Sequence, residues 1–138
     1  MARALLAALL VSGLAGCNDA PRPYATLPEK NVQVRTVTVG AGSVALEVHS
    51  CRGSYEGFVP LDPPSIDIGL PTDRPSKLVF TFSNPSVSNK KEIEIAPRPG
   101  YRYEVRAALK DAIHDIELRE IDPRSGAGRE LDTTARRC

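Results

Sequence analysis

The chain has 138 residues, 41% hydrophobic and 25% charged, with 18 Lys and Arg against 17 Asp and Glu for a formal net charge of +1 at pH 7. Charge this evenly balanced gives no electrostatic footprint for nucleic acid or for an anionic phospholipid surface, and nucleic-acid binding is excluded on that ground. The length suits one compact domain with an appendage.

The first segment carries Arg3, the apolar run Ala4–Val11, then Ser12 and Gly13 ahead of Leu14-Ala15-Gly16-Cys17. A basic start, a short apolar centre and small residues before a cut are the parts of a secretory signal. The run stops well short of the about 20 apolar residues that a spanning helix needs. Its closing tetrapeptide resembles the lipobox of bacterial lipoproteins. The resemblance implies cleavage between Gly16 and Cys17, diacylglycerol on the Cys17 thiol, and acylation of the new amino group. Stable attachment takes two or more acyl chains, at about 0.8 kcal/mol per buried methylene, and a triacylated cysteine supplies them without a protein helix. Asn18, rather than Asp, follows the cysteine, which by the same resemblance leans towards the outer membrane over the inner one, facing the periplasm. The rival reading is an exported chain whose Cys17 pairs with another thiol.

Without residues 1–16 the chain keeps 122 residues, with 17 basic and 17 acidic side chains. Residues 17–30 hold Pro21, Pro23 and Pro28 and few apolar side chains, the composition of a lipid anchor followed by a flexible, extended tether. At about 3.1 Å per residue that tether would hold the domain roughly 40 Å off the membrane. The remaining cysteines, Cys51 and Cys138, read as a disulfide in an oxidising compartment. A bridge across so long a loop removes about 4–5 kcal/mol of unfolded-state freedom. An intermolecular bridge or a free thiol are the alternatives.

From residue 31 to 138 the pattern is mostly period two. Val32 and Val34 share one face, whereas Val37 and Val39 fall on the other, a shift that a bulge or two-sided burial would explain. Gly40-Ala41-Gly42 turns the chain, and Val44, Leu46 and Val48 alternate with Ala45, Glu47 and His49. Arg52 to Pro64 reads as a long loop. Ile66, Ile68 and Leu70 form a short strand, and Leu78, Phe80 and Phe82 give the cleanest inward face. Ile93 and Ile95 alternate with Glu92 and Glu94. Over 101–121, Val105, Leu109, Ile113 and Ile116 also fit helical spacing, but a hairpin is the preferred reading. A last short strand covers Arg129–Leu131. The whole predicts an all-β fold, a small antiparallel sandwich of about seven short strands.

The stretch Pro99-Gly100-Tyr101-Arg102-Tyr103-Glu104-Val105, with Asp122-Pro123-Arg124-Ser125-Gly126 beyond it, resembles the closing hairpin of small envelope lipoproteins with a transthyretin-like or PEGA-like β-sandwich. That likeness covers about thirty residues, is structural in character, and supports the fold.

Candidate chemistry is thin. His114-Asp115 lacks the further histidines of a phosphohydrolase centre, and His49 with Cys51 falls short of the three or four ligands a zinc site takes. No Gly-x-Ser-x-Gly elbow surrounds Ser43 or Ser50. Gly40-Ala41-Gly42 lacks the helix and lysine of a phosphate cradle. Glu92/Glu94 and Asp115/Glu117 read as solvated strand faces. The one segment with the composition of a contact surface is the 52–64 loop, with Arg52, Tyr55 and Phe58; its alternative is Phe58 capping the core. The expectation is a membrane-anchored, non-enzymatic interaction or accessory subunit of the cell envelope, with an envelope protein as partner and neither catalytic residue, metal nor cofactor. A small-ligand or glycan-binding module is the second reading, and a hydrolase a distant third.

Overall fold

Alternation of β-branched and aromatic residues produces nine strands, seen in a computed structural model that describes residues 21–138. They are β1 (Val32–Val39), β2 (Ser43–Ser50), β3 (Tyr55–Val59), β4 (Ser65–Ile68), β5 (Ser76–Asn84), β6 (Val87–Ile95), β7 (Arg102–Lys110), β8 (Ile113–Ile121) and β9 (Gly128–Leu131). One sheet has the order β4-β1-β7-β8-β9 and the other β3-β2-β5-β6. The all-β sandwich is therefore as expected. All neighbours are antiparallel save β1 and β7, which run parallel from Val32–Tyr103 to Val39–Lys110.

Leu78, Phe80 and Phe82 of β5 meet Leu46 and Val48 of β2 and, from the facing sheet, Val34, Tyr103, Val105 and Leu118. Each such side chain contributes about 1.5–3 kcal/mol when fully withdrawn from water. The 101–121 segment is the hairpin β7–β8, paired along its whole length. Its two-residue turn places Asp111 at φ +56°, a left-handed conformation that Asp tolerates, so the helical spacing there is incidental.

Three expectations need correction. The 52–64 loop is not wholly loop, because Tyr55–Val59 pairs with β2 as an edge strand, and this raises the strand count. β1 carries no bulge, since its register with β7 is unbroken. Val32 and Val34 face the core, Thr36 and Thr38 continue the same inner face, and Val37 and Val39 point outward, Val39 being 53% exposed. Finally, the described part of the 17–30 tether does not stand away from the domain.

Residues 22–31 lie along the sandwich as a strap. The Phe58 amide donates to the Arg22 carbonyl at 2.9 Å and the Tyr24 amide to the Phe58 carbonyl at 2.8 Å, extending the sheet beyond β3. The strap then crosses to the end of β4, where the Leu27 amide donates to the Gly69 carbonyl and the Gly69 amide to Thr26 Oγ1. Asn31 ends it, buried, with its side-chain amide exchanging two hydrogen bonds with the Leu70 backbone at 3.0 and 2.8 Å. Two glycines make this approach fit. A Cβ on Gly57 (φ +146°) would fall 2.5 Å from the Tyr24 backbone, and one on Gly69 would fall 2.4 Å from the Leu27 and Glu29 carbonyl oxygens.

The other open side, between β9 and β6, is crossed by the C-terminal tail. Arg137 Nη1 donates to the Glu94 carbonyl at 2.7 Å, and the tail ends in a disulfide from Cys138 to Cys51, 5.4 Å apart at Cα. The expected bridge is thus intramolecular, and it accords with a non-cytoplasmic compartment.

Gly57→Ala or Gly69→Ala should lower the unfolding free energy by about 1–3 kcal/mol, the usual range for overpacking, as read by urea titration. Hydrogen exchange at the Tyr24 and Leu27 amides should quicken in the same variants. Cys138→Ser should remove about 4–5 kcal/mol by loop entropy; an unchanged denaturation midpoint would show that the loop is already constrained without the bridge.

Candidate functional site

A strand places residues three apart on opposite faces, yet Tyr55 and Phe58 share one. The cause is a bulge: Val48 pairs with Gly57 but His49 pairs with Tyr55, leaving Glu56 as the extra residue. Both aromatics thus stand on the outer face of the four-stranded sheet, half-buried, while Val59 fills the inward position. Phe58 does not cap the core, since it pairs with outward-facing Glu47 while Val59 takes the inward position. With Pro21 and Glu47 they line a shallow depression of about 290 Å³.

Arg52, expected beside them, sits exposed at the β2–β3 turn. The guanidinium that meets Tyr55 belongs to Arg22 of the strap, 5.8 Å from the ring centroid, with Nη2 donating to the Tyr55 carbonyl at 2.9 Å. Nothing in local spacing linked residues 22 and 55, because the pairing comes from the strap's path. His49 packs edge-on to Tyr55 with centroids 5.5 Å apart, and its Nε2 shares a 2.9 Å hydrogen bond with Glu47. Across the sheet, Lys77 and Glu94 continue the row from His49. The surface is therefore aromatic at the β3 edge and charged towards β6, where the C-terminal tail takes up the Glu94 carboxylate.

The other singled-out residues have structural surroundings. His114 lies against Phe82, centroids 5.1 Å apart. Glu117 pairs with Arg106 at 3.6 Å. The Glu94 carboxylate accepts from the backbone amides of Cys138, at 2.8 Å, and of Arg137. Those two amides, Cys138 first, hold its pKa below the usual carboxylate value. Cys17, the expected lipidation residue, lies outside the described residues. Among the described residues, no three His, Cys, Asp or Glu side chains converge as a metal cage.

One polar cluster escaped the sequence reading. Glu120 lies on the inner side of β8, buried, and accepts from Tyr103 Oη at 2.8 Å, Arg129 at 3.1 Å and Arg98 at 3.3 Å. Arg98 also stacks 3.9 Å from the Tyr101 ring centroid. Burial pushes the Tyr103 phenol up to about 12. Buried charge needs such partners, and here they fasten the β6–β7 connection and β9 to β8.

No protein-family model matches the chain, and no curated protein or solved structure matches it significantly. Fold and site together define a disulfide-stapled, two-sheet sandwich with an aromatic patch on its outer face beside the incoming chain.

The tail's grip on Glu94 has a pH signature. A carboxylate whose folded pKa is depressed contributes stability that is complete above its unfolded value and is lost as pH falls through the folded value. Acidification below the ordinary Glu range, 4.5, should loosen residues 132–138 ahead of the sandwich. In Glu94→Gln the acid limb of thermal stability should be shallower than in the parent, a comparison calorimetry across that range makes directly.

Proposed function

We propose that this chain is a lipid-anchored lipoprotein of the bacterial envelope, held at Cys17 and facing the periplasm. Its sandwich acts as a non-enzymatic interaction or accessory subunit, and the outer membrane is the preferred address. The observation that carries the reading is the pairing of thiols. Cys51 and Cys138 use each other, so Cys17, in its lipobox-like setting, is the one cysteine of three without a partner inside the chain.

The strap sharpens the geometry of this reading. Docking begins at Arg22, so a lipid on Cys17 is separated from the folded domain by five Cα steps, about 18 Å at full extension. That is less than half the reach of a free tether. The chain comes in beside Tyr55 and Phe58, which puts the aromatic face near the bilayer. The partner then is a protein in or on the same membrane, met by Phe58, Tyr55 and the Arg22 guanidinium, a residue set typical of interface centres.

Expression of the full chain in a bacterial host with a labelled fatty acid tests the proposal. Label should appear on the wild type and vanish in Cys17→Ser, which should leave the membrane fraction. A protein that begins at Met1 and carries no label would defeat the anchor. Separately, Phe58→Ser with Tyr55→Ser should keep the melting temperature within a few degrees and abolish in-membrane crosslinks; unchanged crosslinks would remove this face from the role.

A further inference from the structure

The inner faces of a sandwich are apolar wherever the sheets meet closely. β1 breaks that rule: after Val32 and Val34 its inner face continues as Thr36, half-buried, and Thr38, exposed. Val44 at the start of β2 faces them across the inter-sheet space, while Ser43 beside it points to the outer face, and Leu61 and Asp62 of the β3–β4 connection complete the walls. The cleft, open to solvent on one side, measures about 320 Å³, at the lower end of small-ligand sites.

The strand's edge is open at the same place. β4 pairs with β1 only as far as Arg35, and the Thr36 amide makes one more bond, to the Pro64 carbonyl at 3.0 Å. Among the described residues, no backbone bond continues that ladder to Thr38. Backbone polar groups in a sheet normally find partners, so this edge adds donors and acceptors to the two threonine hydroxyls.

We infer that the cleft between Thr36, Thr38 and Asp62 is a binding site for a neutral sugar unit. Hydroxyl side chains both donate and accept, and a carboxylate accepts from two neighbouring hydroxyl groups, which matches the vicinal hydroxyls of a pyranose. Val44, Leu61 and Pro64 offer apolar contact to its C–H face. Asp62 is the one charged side chain in the lining, which disfavours an anionic ligand. The Pro60–Pro64 connection walls the open edge, and this leaves room for a compact ligand rather than an added strand. The site lies at the Ser43 end of β2, whereas the disulfide sits beyond its Ser50 end. It is thus distinct from the aromatic face, and the inference does not depend on lipidation.

Titration of the isotope-labelled full-length protein with maltose, cellobiose and chitobiose at millimolar concentration tests it. At least one sugar should give saturable shifts centred on the Thr36, Thr38, Ser43 and Asp62 amides. Thr38→Val, which keeps the side chain's shape, and Asp62→Asn should each weaken binding about tenfold, the value of one well-made hydrogen bond. The absence of saturable shifts with all three sugars overturns the site. So does binding that both variants leave unchanged, or shifts centred on Tyr55 and Phe58. Shifts at Thr36–Val39 produced instead by an extended peptide would assign the edge to strand addition and refute the sugar.

Discussion

Two stacked sheets leave a long open side at each pair of edge strands, and every other property of this molecule depends on how those sides are closed. Backbone groups there must bond to something or stay wet. The N-terminal strap closes the β3/β4 side through Phe58, Gly69 and Leu70, and the C-terminal tail closes the β9/β6 side through Glu94 before reaching Cys51. The strap and the C-terminal tail are thereby structural. The remaining length of the β6 edge is guarded differently. Lys91 stands at an inward position on that strand, its Nζ reaching the His114 carbonyl, and a charge pointing inward at an edge discourages another strand from joining.

Much of this was legible in the sequence. Leu78, Phe80 and Phe82 alternate cleanly because β5 is central, with one face wholly buried. Cys51 and Cys138 were readable by arithmetic. The misses share a cause, which is that long-range contacts overrode local pattern. The β3 strand was hidden because its bulge puts Tyr55 and Phe58 on one face at odd spacing. The strap was hidden because three prolines in 17–30 and little apolar content spell a free linker, whereas it is held mostly by hydrogen bonds to the backbone of Phe58, Ile68, Gly69 and Leu70. Val37 and Val39 misled in the opposite sense, as apolar residues at outward positions. Glu120 looked like one more charge on a hairpin, and only the convergence of Tyr103, Arg98 and Arg129 makes its burial tolerable.

The candidate contact face was half visible. Tyr55 and Phe58 could be picked from composition, but the cation beside them could not. Arg22 is 33 positions away from Tyr55, and Arg52, the near neighbour in sequence, lies at an exposed turn. The strap that carries Arg22 to Tyr55 is accommodated by Gly57 and Gly69, so under the proposed role stability and recognition would be coupled at this edge.

The parallel pairing of β1 with β7 bears on how the molecule assembles. The first strand is completed by one that begins 70 positions later, at Arg102. Non-local pairings of that kind are reached slowly, since much loop entropy is lost before any contact compensates it. The five-stranded sheet therefore cannot close before the seventh strand exists. The four-stranded one, complete by Ile95, can pair earlier, so the two halves of the sandwich form on different schedules.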